Sequence, residues 1–559
     1  MNKATLHFRY TSADTSSSLV MYGISDDCHR CDLVPIRPVT CAQDNATCVQ
    51  LHPNTTYDFS VDGVYPMSLA LRPNDEEPPV WQGSHAFMEQ SEYTMQAQQL
   101  DTGDVHASIV LDTEGSPTLI LTAIFVFVLL WLGSCVGLFF WKRHLASLRS
   151  DDEDDEGATS TNLAPLLPPT RPSVHTTASS IKLSATGTPT YKRIKSLDTF
   201  RGMTIFLMIF VNYGGGGYWL FNHSTWNGLT LADLVFPWFA WIMGMSMALV
   251  PPAKRTLWAS GVRSVKLFAL GLFINNGFDL KTWRVPGVLQ SFGASYAIMS
   301  TILLGTQPTG AGPSAVPVAL AMAVLVVLQL LVVYLVPVDG CPTGYVGPGG
   351  RGDHSQFVNC TGGAHRAVDV ALFGAAHIFQ HPTTRPVYDT PSFDPEGFLN
   401  WIMVALTTCM GYIVGTWHHP LGRSYSQKAW VLALSGLLLV VLGVALCQGR
   451  VHDGWVPVNK NLWSVSFVLM ASGLGSVVFC AVYLLVDVWH MWSGAPFAYA
   501  GMNAILLYCG HELLQGYFPF SFAHDESSHT ATTAANLVGA VRYRHPTWQH
   551  PNHICDGVV

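Results

Sequence analysis

Pro117 to Trp141 runs from end to end without a charged side chain. At 1.5 Å per helical residue, such a stretch is long enough to cross the roughly 30 Å hydrocarbon layer of a bilayer. Further apolar stretches recur near 198–213, 231–250, 257–275, 287–305, 314–337, 397–417, 428–447, 461–487 and 495–516, so the pattern predicts about ten spans. Lipid offers no hydrogen-bond partners, so spanning segments must satisfy their own backbone as helices, and a polytopic α-helical membrane protein follows. Composition agrees, with 49% of residues apolar and only 12% charged. The net charge of −8 comes partly from one acidic cluster, Asp151–Glu156, and no basic tract suited to a phosphate backbone occurs, which argues against nucleic acid as a partner.

Charge placement orients the chain. Lys142, Arg143, His144 and Arg149 follow the first span at 117–141, which by the positive-inside tendency puts that end in the cytosol. Counting spans from there places the loop 338–396 in the lumen and Lys254, Arg255, Arg423 and Lys428 in cytosolic loops. The lumenal loop carries Cys341, Cys360 and a glycosylation sequon at Asn359, features of an oxidising, glycosylating compartment. Residues 1–116 carry the same signature: Cys28, Cys31, Cys41 and Cys48 beside sequons at Asn45 and Asn54. Disulfides are expected there in preference to zinc. Stretches such as Thr56 to Val64 and Ser68 to Arg72 alternate in polarity, so this segment reads as a small lumenal β domain.

Residues 142–196 are acidic and then rich in Ser, Thr and Pro, which predicts a disordered cytosolic linker; Asn162 to Leu167 loosely resembles a dileucine sorting signal. The opening MNKATLHFRY lacks the apolar core of a signal peptide that a lumenal amino-terminal domain needs, so an upstream start is expected. After a transmembrane bundle at 197–520, Thr530 to Val541 starts an eleventh apolar segment that Arg542-Tyr-Arg-His-Pro breaks. The tail 521–559 is therefore atypical, with an eleventh span lost or altered, and activity of this precise chain is in question.

Chemistry concentrates in Ser196 to Phe239, SLDTFRGMTIFLMIFVNYGGGGYWLFNHSTWNGLTLADLVFPWF. Asp198 and Arg201 lie three apart and share a helical face at the mouth of a span, where they serve as a cap and headgroup anchor or face a polar interior. Gly214 to Gly217 end the helix as a turn or admit a closely approaching ligand. Asn212 both donates and accepts hydrogen bonds, and His223 exchanges a proton near neutral pH. His223 also fits a surface residue within the sequon Asn222-His223-Ser224.

SLDTFRG, VNYGGGGYW, HSTWNGLTLADLVFPWF, RVPGVLQ (284–290), GCPTGYVGPGG (340–350), DPEG (394–397), VPVNKNLWS (456–464) and GMNAILLYCGHE (501–512) together resemble the lysosomal heparan-α-glucosaminide N-acetyltransferase family, over about Leu197 to Phe520. The resemblance implies a multi-pass enzyme of the lysosomal membrane that moves acetyl from cytosolic acetyl-CoA, its co-substrate, to the terminal non-reducing glucosamine of heparan sulfate during heparan sulfate catabolism. It places the active-site histidine on His223 and the neighbouring asparagine on Asn212, and suggests a homodimer. The LDxxRG opening is also similar to a wider superfamily of membrane acyltransferases, so an acyltransferase for another sugar is an alternative; a transporter of an acylated metabolite is a second. No convincing inverted repeat of the kind many transporters possess is visible.

For acetyl transfer the glucosamine nitrogen must be unprotonated, so His223 is read as a general base, with an acetyl-imidazole relay as the other possibility. Asn212 is expected to hydrogen-bond the thioester carbonyl or to orient His223. Asp198 and Asp233 are candidate orienting acids or caps, and Asn503 and His511 candidate cavity-lining residues in a late span. His511 and Glu512 are adjacent, so they are not expected to share a helical face. Arg201, Arg263 and Lys266 are candidates for the acetyl-CoA nucleotide; the last two lie three apart inside an apolar span. No metal is expected, because the loop histidine pairs lack a third ligand and acetyl transfer needs none.

Overall fold

The computed structural model describes residues 3–114 except 13–17, 40–48, 64, 74–76, 89–90 and 100–104; Leu129, Gly133, Gly137 and Trp141; 194–514 except 214, 216–218, 251–254, 277–279, 307–314 and 419–423; and 521–523 with 530–532. Nearly all of the first span, the linker 142–193, Cys41, Cys48, Asn45, Lys254 and the dileucine-like stretch lie outside the described residues.

The amino-terminal residues form two sheets. One has the order β5 (Thr56–Asp62), β1 (Lys3–Thr11), β8 (Glu92–Gln99), β9 (Val105–Thr113), with β1 and β8 parallel and the other pairs antiparallel. The other has β3 (Val34–Pro35), β2 (Leu19–Ser25), β6 (Met67–Arg72) and β7 (Trp81–His85), with β4 (Gln50–Leu51) also on β2. Alternate residues Leu6, Phe8 and Tyr10 of β1 meet Met21, Leu69 and Leu71 of the second sheet in one core, as the period-two pattern of a half-buried strand requires. Cys28 and Cys31 form a disulfide in the turn that follows β2, and Cys341 with Cys360 forms another.

The described residues from 194 to 514 are mainly helical: α1 (Lys195–Asn212), α2 (Leu231–Leu249), α3 (Leu257–Asn275), α4 (Val288–Thr306), α5 (Val316–Leu335), α6 (Ala364–Phe373), α7 (Arg385–Tyr388), α8 (Phe398–His418), α9 (Tyr425–Cys447), α10 (Val465–Tyr483), α11 (Phe497–Met502) and α12 (Ala504–Leu513). Seven of them, α2 to α5 and α8 to α10, are long and apolar enough to cross a membrane. This is a multi-pass membrane protein with an amino-terminal β region. α1 is of membrane length but carries Lys195, Asp198 and Arg201. The expected continuous span at 495–516 is two short helices broken at Asn503. Thr530–Thr532, the described piece of the candidate eleventh segment, pairs as a strand with Ser521–Ala523 rather than starting a helix.

α2 and α8 are the centre of the bundle. A Cβ on Gly244 would collide with the Thr408 carbonyl, and one on Gly411 with the Trp241 carbonyl, so the two backbones touch only because both residues lack side chains. α3, α5 and α9 are peripheral, with Val265 and Phe273, Leu320, Val324 and Leu331, and Leu434, Leu438 and Val441 all facing outward. Apolar faces this long suit lipid and not water. The β region, the segment 336–397, the segment 213–230 and the segment 448–464 meet at one end of the bundle. There Cys28, Trp226, Tyr388, Phe393 and Leu462 share a small core, and the Tyr388 hydroxyl donates to the Asp27 carbonyl at 2.9 Å. Arg284, between α3 and α4, donates to both carboxylate oxygens of buried Asp394 at 2.7 and 2.8 Å and to Glu396, tying this end together.

Candidate functional site

Thr230 and Asp233 begin α2, and the same carboxylate that caps the helix orients His223. Asp233 is fully buried. Its Oδ2 accepts from the Ser224 and Thr230 backbone N–H groups (3.2 and 3.1 Å) and from their hydroxyls (2.8 and 3.0 Å). That leaves Oδ1 for His223 Nδ1 at 2.8 Å. An imidazole held through Nδ1–H by a carboxylate keeps its other nitrogen, Nε2, as the acceptor.

A third charged group completes the cluster. Lys460 Nζ lies 3.0 Å from His223 Nδ1, 3.4 Å from Nε2 and 3.6 Å from Asp233 Oδ1. The flanking asparagines bring it there: Asn459 Nδ2 donates to Asn227 Oδ1 at 3.0 Å, Asn461 Nδ2 donates to the Thr225 carbonyl at 3.2 Å, and Gly228 N–H donates to the Val458 carbonyl at 2.8 Å. Burial, and after it the Lys460 charge, lower the His223 pKa from the ordinary imidazole value, while Asp233 pulls the other way. Lys460 was missed from sequence because a lysine between apolar segments reads as an anchor; its place in VPVNKNLWS was the available signal.

His223 and Asn212 line one cavity of about 430 Å³ with Val211, Phe221, Asn222, Thr383 and Pro386. Asn212 Nδ2 donates to His511 Nε2 at 2.9 Å and to Glu512 Oε1 at 3.2 Å. Both amide hydrogens are thereby engaged, which leaves the carbonyl oxygen for an incoming group. His511 and Glu512 thus act on one partner although adjacent in sequence, because near the end of α12 a single amide reaches both side chains. His511 Nδ1 lies 3.2 Å from the Leu507 carbonyl, and its Nε2 also stands 3.2 Å from Glu512 Oε1, so the two side chains and the Asn212 amide form one cluster.

The remaining candidates lie elsewhere. Asn503 is exposed at the break between α11 and α12 and donates to the Tyr499 carbonyl at 3.1 Å. Asp198 and Arg201 face each other at 3.5 Å in the first half of α1, and Arg201 also donates to Ser246 Oγ and the Gly501 carbonyl. Arg263 and Lys266 are exposed on the outer face of α3, where the Arg263 guanidinium stands 4.7 Å from the Tyr296 ring centroid. These two do not join the bundle interior, because the inward face of α3 at this level is Ser260 and Ser264. Asn54 and Asn359 are exposed. No group of three or more potential metal ligands occurs among the described residues.

A multi-pass helical bundle with a carboxylate-held imidazole facing a cavity at one end defines the chain as a multi-pass membrane protein with a polar site at one end of its bundle. No model of a known protein family matches the sequence. The chain is 39% identical over 381 residues to the human heparan-alpha-glucosaminide N-acetyltransferase, an alignment that covers 62% of this chain and 57% of that protein. It is 32% identical over 571 residues to the mouse protein of the same name, covering 93% of this chain and 84% of that protein. The chain belongs to the heparan-alpha-glucosaminide N-acetyltransferase family, a family of acetyltransferases.

Proposed function

We propose that this chain is a transmembrane N-acetyltransferase of the lysosomal membrane that transfers acetyl from cytosolic acetyl-CoA to the terminal glucosamine of heparan sulfate in the lumen, during its breakdown. The observation that carries the reading is the Asp233–His223 pair, oriented so that Nε2 is the basic atom beside a cavity that Asn212 shares. In the proposed step the glucosamine nitrogen attacks the thioester carbonyl carbon, an N–C bond forms and the C–S bond breaks. The proton lost from nitrogen passes to His223 Nε2 and from there to the departing thiolate. A positioned general base of this kind contributes roughly 10²–10⁴-fold. An acyl-imidazole relay is not required, because a thioester beside a free amine already reacts by direct attack. The lumenal setting is supported by two disulfides and two exposed sequon asparagines on the His223 side of the bundle.

Transfer of labelled acetyl from acetyl-CoA to glucosamine, measured in membranes at matched folded abundance, tests the reading. His223→Ala is expected to lower transfer at least about 100-fold. Equal transfer by both chains would remove His223 from the chemistry.

A further inference from the structure

We infer that Lys460 is a positioning residue for His223: its ammonium lies over the imidazole and beside Asp233, opposes a second proton on the ring, and so keeps Nε2 a base in an acidic compartment. This rests on the acetyltransferase reading above and adds to it the residue that sets the pH range of the site.

The geometry shows how. An ammonium donating in the ring plane to one lone pair lies close to one nitrogen and far from the other. Lys460 Nζ is 3.0 and 3.4 Å from the two, so it stands over the ring and occupies neither lone-pair direction. Nδ1–H remains on Asp233, and Nε2 remains open. An Asp–His pair alone favours imidazolium, since the carboxylate stabilises the added charge. That bias defeats a general base in acid, where an ordinary histidine is already largely protonated. Lys460, at 3.6 Å from Asp233 Oδ1, offsets the carboxylate's field while leaving its hydrogen bond to the ring in place. The other titratable groups facing this cluster are Glu396, from the segment 336–397 and held by Arg284, and, from the β region, Asp27, which accepts from the Thr225 hydroxyl, and Tyr65, which senses the Asp233 charge; Glu512 of α12 lies on the far side of Asn212, beside His511. Only Lys460 among them is a cation in contact with His223. Its side chain is 13% exposed, so solvent screens it weakly.

The test uses the full chain purified in detergent and compares the parent with Lys460→Gln, Lys460→Met and Lys460→Arg. The first readout is the rate of His223 carbethoxylation by diethyl pyrocarbonate against pH, followed by peptide mass spectrometry. It reports the neutral fraction of the ring whether or not the protein transfers acetyl; the His223 side chain, 33% exposed, is reachable. The second is the acid limb of acetyl transfer. Gln and Met are expected to move both midpoints up by about one pH unit, a tenfold loss of transfer on the acid side, whereas Arg keeps both near the parent's. Thermal unfolding confirms that each variant is folded; if the neutral variants are not, carbamylation of Lys460 in the folded parent, located by peptide mass spectrometry, removes the same charge and is expected to raise the His223 midpoint equally, and an unmoved midpoint overturns the inference. Midpoints unmoved in Gln and Met, or moved equally by Arg, overturn the inference. If the modification midpoint moves while no chain transfers acetyl, Lys460 keeps its role and the acetyltransferase reading falls.

Discussion

Asp233→Asn separates the two tasks of one carboxylate. Oδ2 receives four donors from Ser224 and Thr230, so the single oxygen of the substituted amide is drawn to that side, where it can still cap α2. Its NH₂ then faces His223 Nδ1 at the 2.8 Å now spanned by an N–H···O bond, and two donors cannot face each other there. The ring is expected to shift its proton to Nε2, which turns the basic lone pair toward the new amide and away from the cavity. The same tautomer error in a serine-protease triad costs about 10⁴ in turnover, and here roughly 10³–10⁴ is expected, equal to about 4–5.5 kcal/mol of barrier. Lys460 also loses its carboxylate, and breaking a buried ion pair typically costs about 3–5 kcal/mol of stability. Transfer must therefore be expressed per folded molecule, with folding read from thermal unfolding in detergent and kcat from initial rates. Turnover within tenfold of the parent would show that proton transfer does not depend on the Nδ1–Asp233 bond, and the general-base assignment would fall with it.

Arg284→Met leaves the Asp394 and Glu396 carboxylates buried without their cation and is expected to destabilise by about 3–5 kcal/mol, visible as a lower unfolding temperature; an unchanged temperature would refute the role given to this cluster. Gly244→Val should force α2 from α8 and cost about 1–3 kcal/mol or more, whereas Gly261→Ala on the open face of α3 should be neutral or slightly stabilising; equal melting of the two variants would refute the close approach. On α6, burial pushes Asp369 up to about 7 and His365 down to about 4. The raised carboxyl loses stability as pH climbs from about 4 to 7, while the lowered imidazole gains it from about 4 to 6.5, so the two slopes oppose each other in the parent. Asp369→Asn should therefore make stability rise with pH over that range, and His365→Gln should make it fall, both read from unfolding against pH; slopes unchanged from the parent would contradict the burial of either group.

The bundle was legible because its information is local. A run of apolar residues specifies a spanning helix whatever its neighbours do, and the positions of α2 to α5 and α8 to α10 follow from such runs. The reading failed where neighbours decide. The stretch 495–516 is apolar enough for a single helix but divides at Asn503, whose side chain bonds back to the Tyr499 carbonyl. Arg263 and Lys266 looked too costly to expose, yet α3 is a peripheral helix and Arg263 lies against the Tyr296 ring instead of entering the interior. Periodicity carries no information about which face a neighbouring helix will cover.

The site divides in the same way. Asp233 and His223 are ten residues apart, and the Thr-x-x-Asp spacing that starts α2 already hints that the carboxylate sits near the turn carrying the histidine. Lys460 is 237 residues from His223. Nothing in a lysine between two apolar segments distinguishes a headgroup anchor from a charge placed over an imidazole. The distinction lies in Asn459 and Asn461, whose amides bind Asn227 and the Thr225 carbonyl and so fix one loop against the other. In an aqueous loop those asparagines would be ordinary. Between a half-buried lysine and the turn bearing His223 they replace water as partners, and that substitution lets a charged group be held largely out of solvent against the ring it governs.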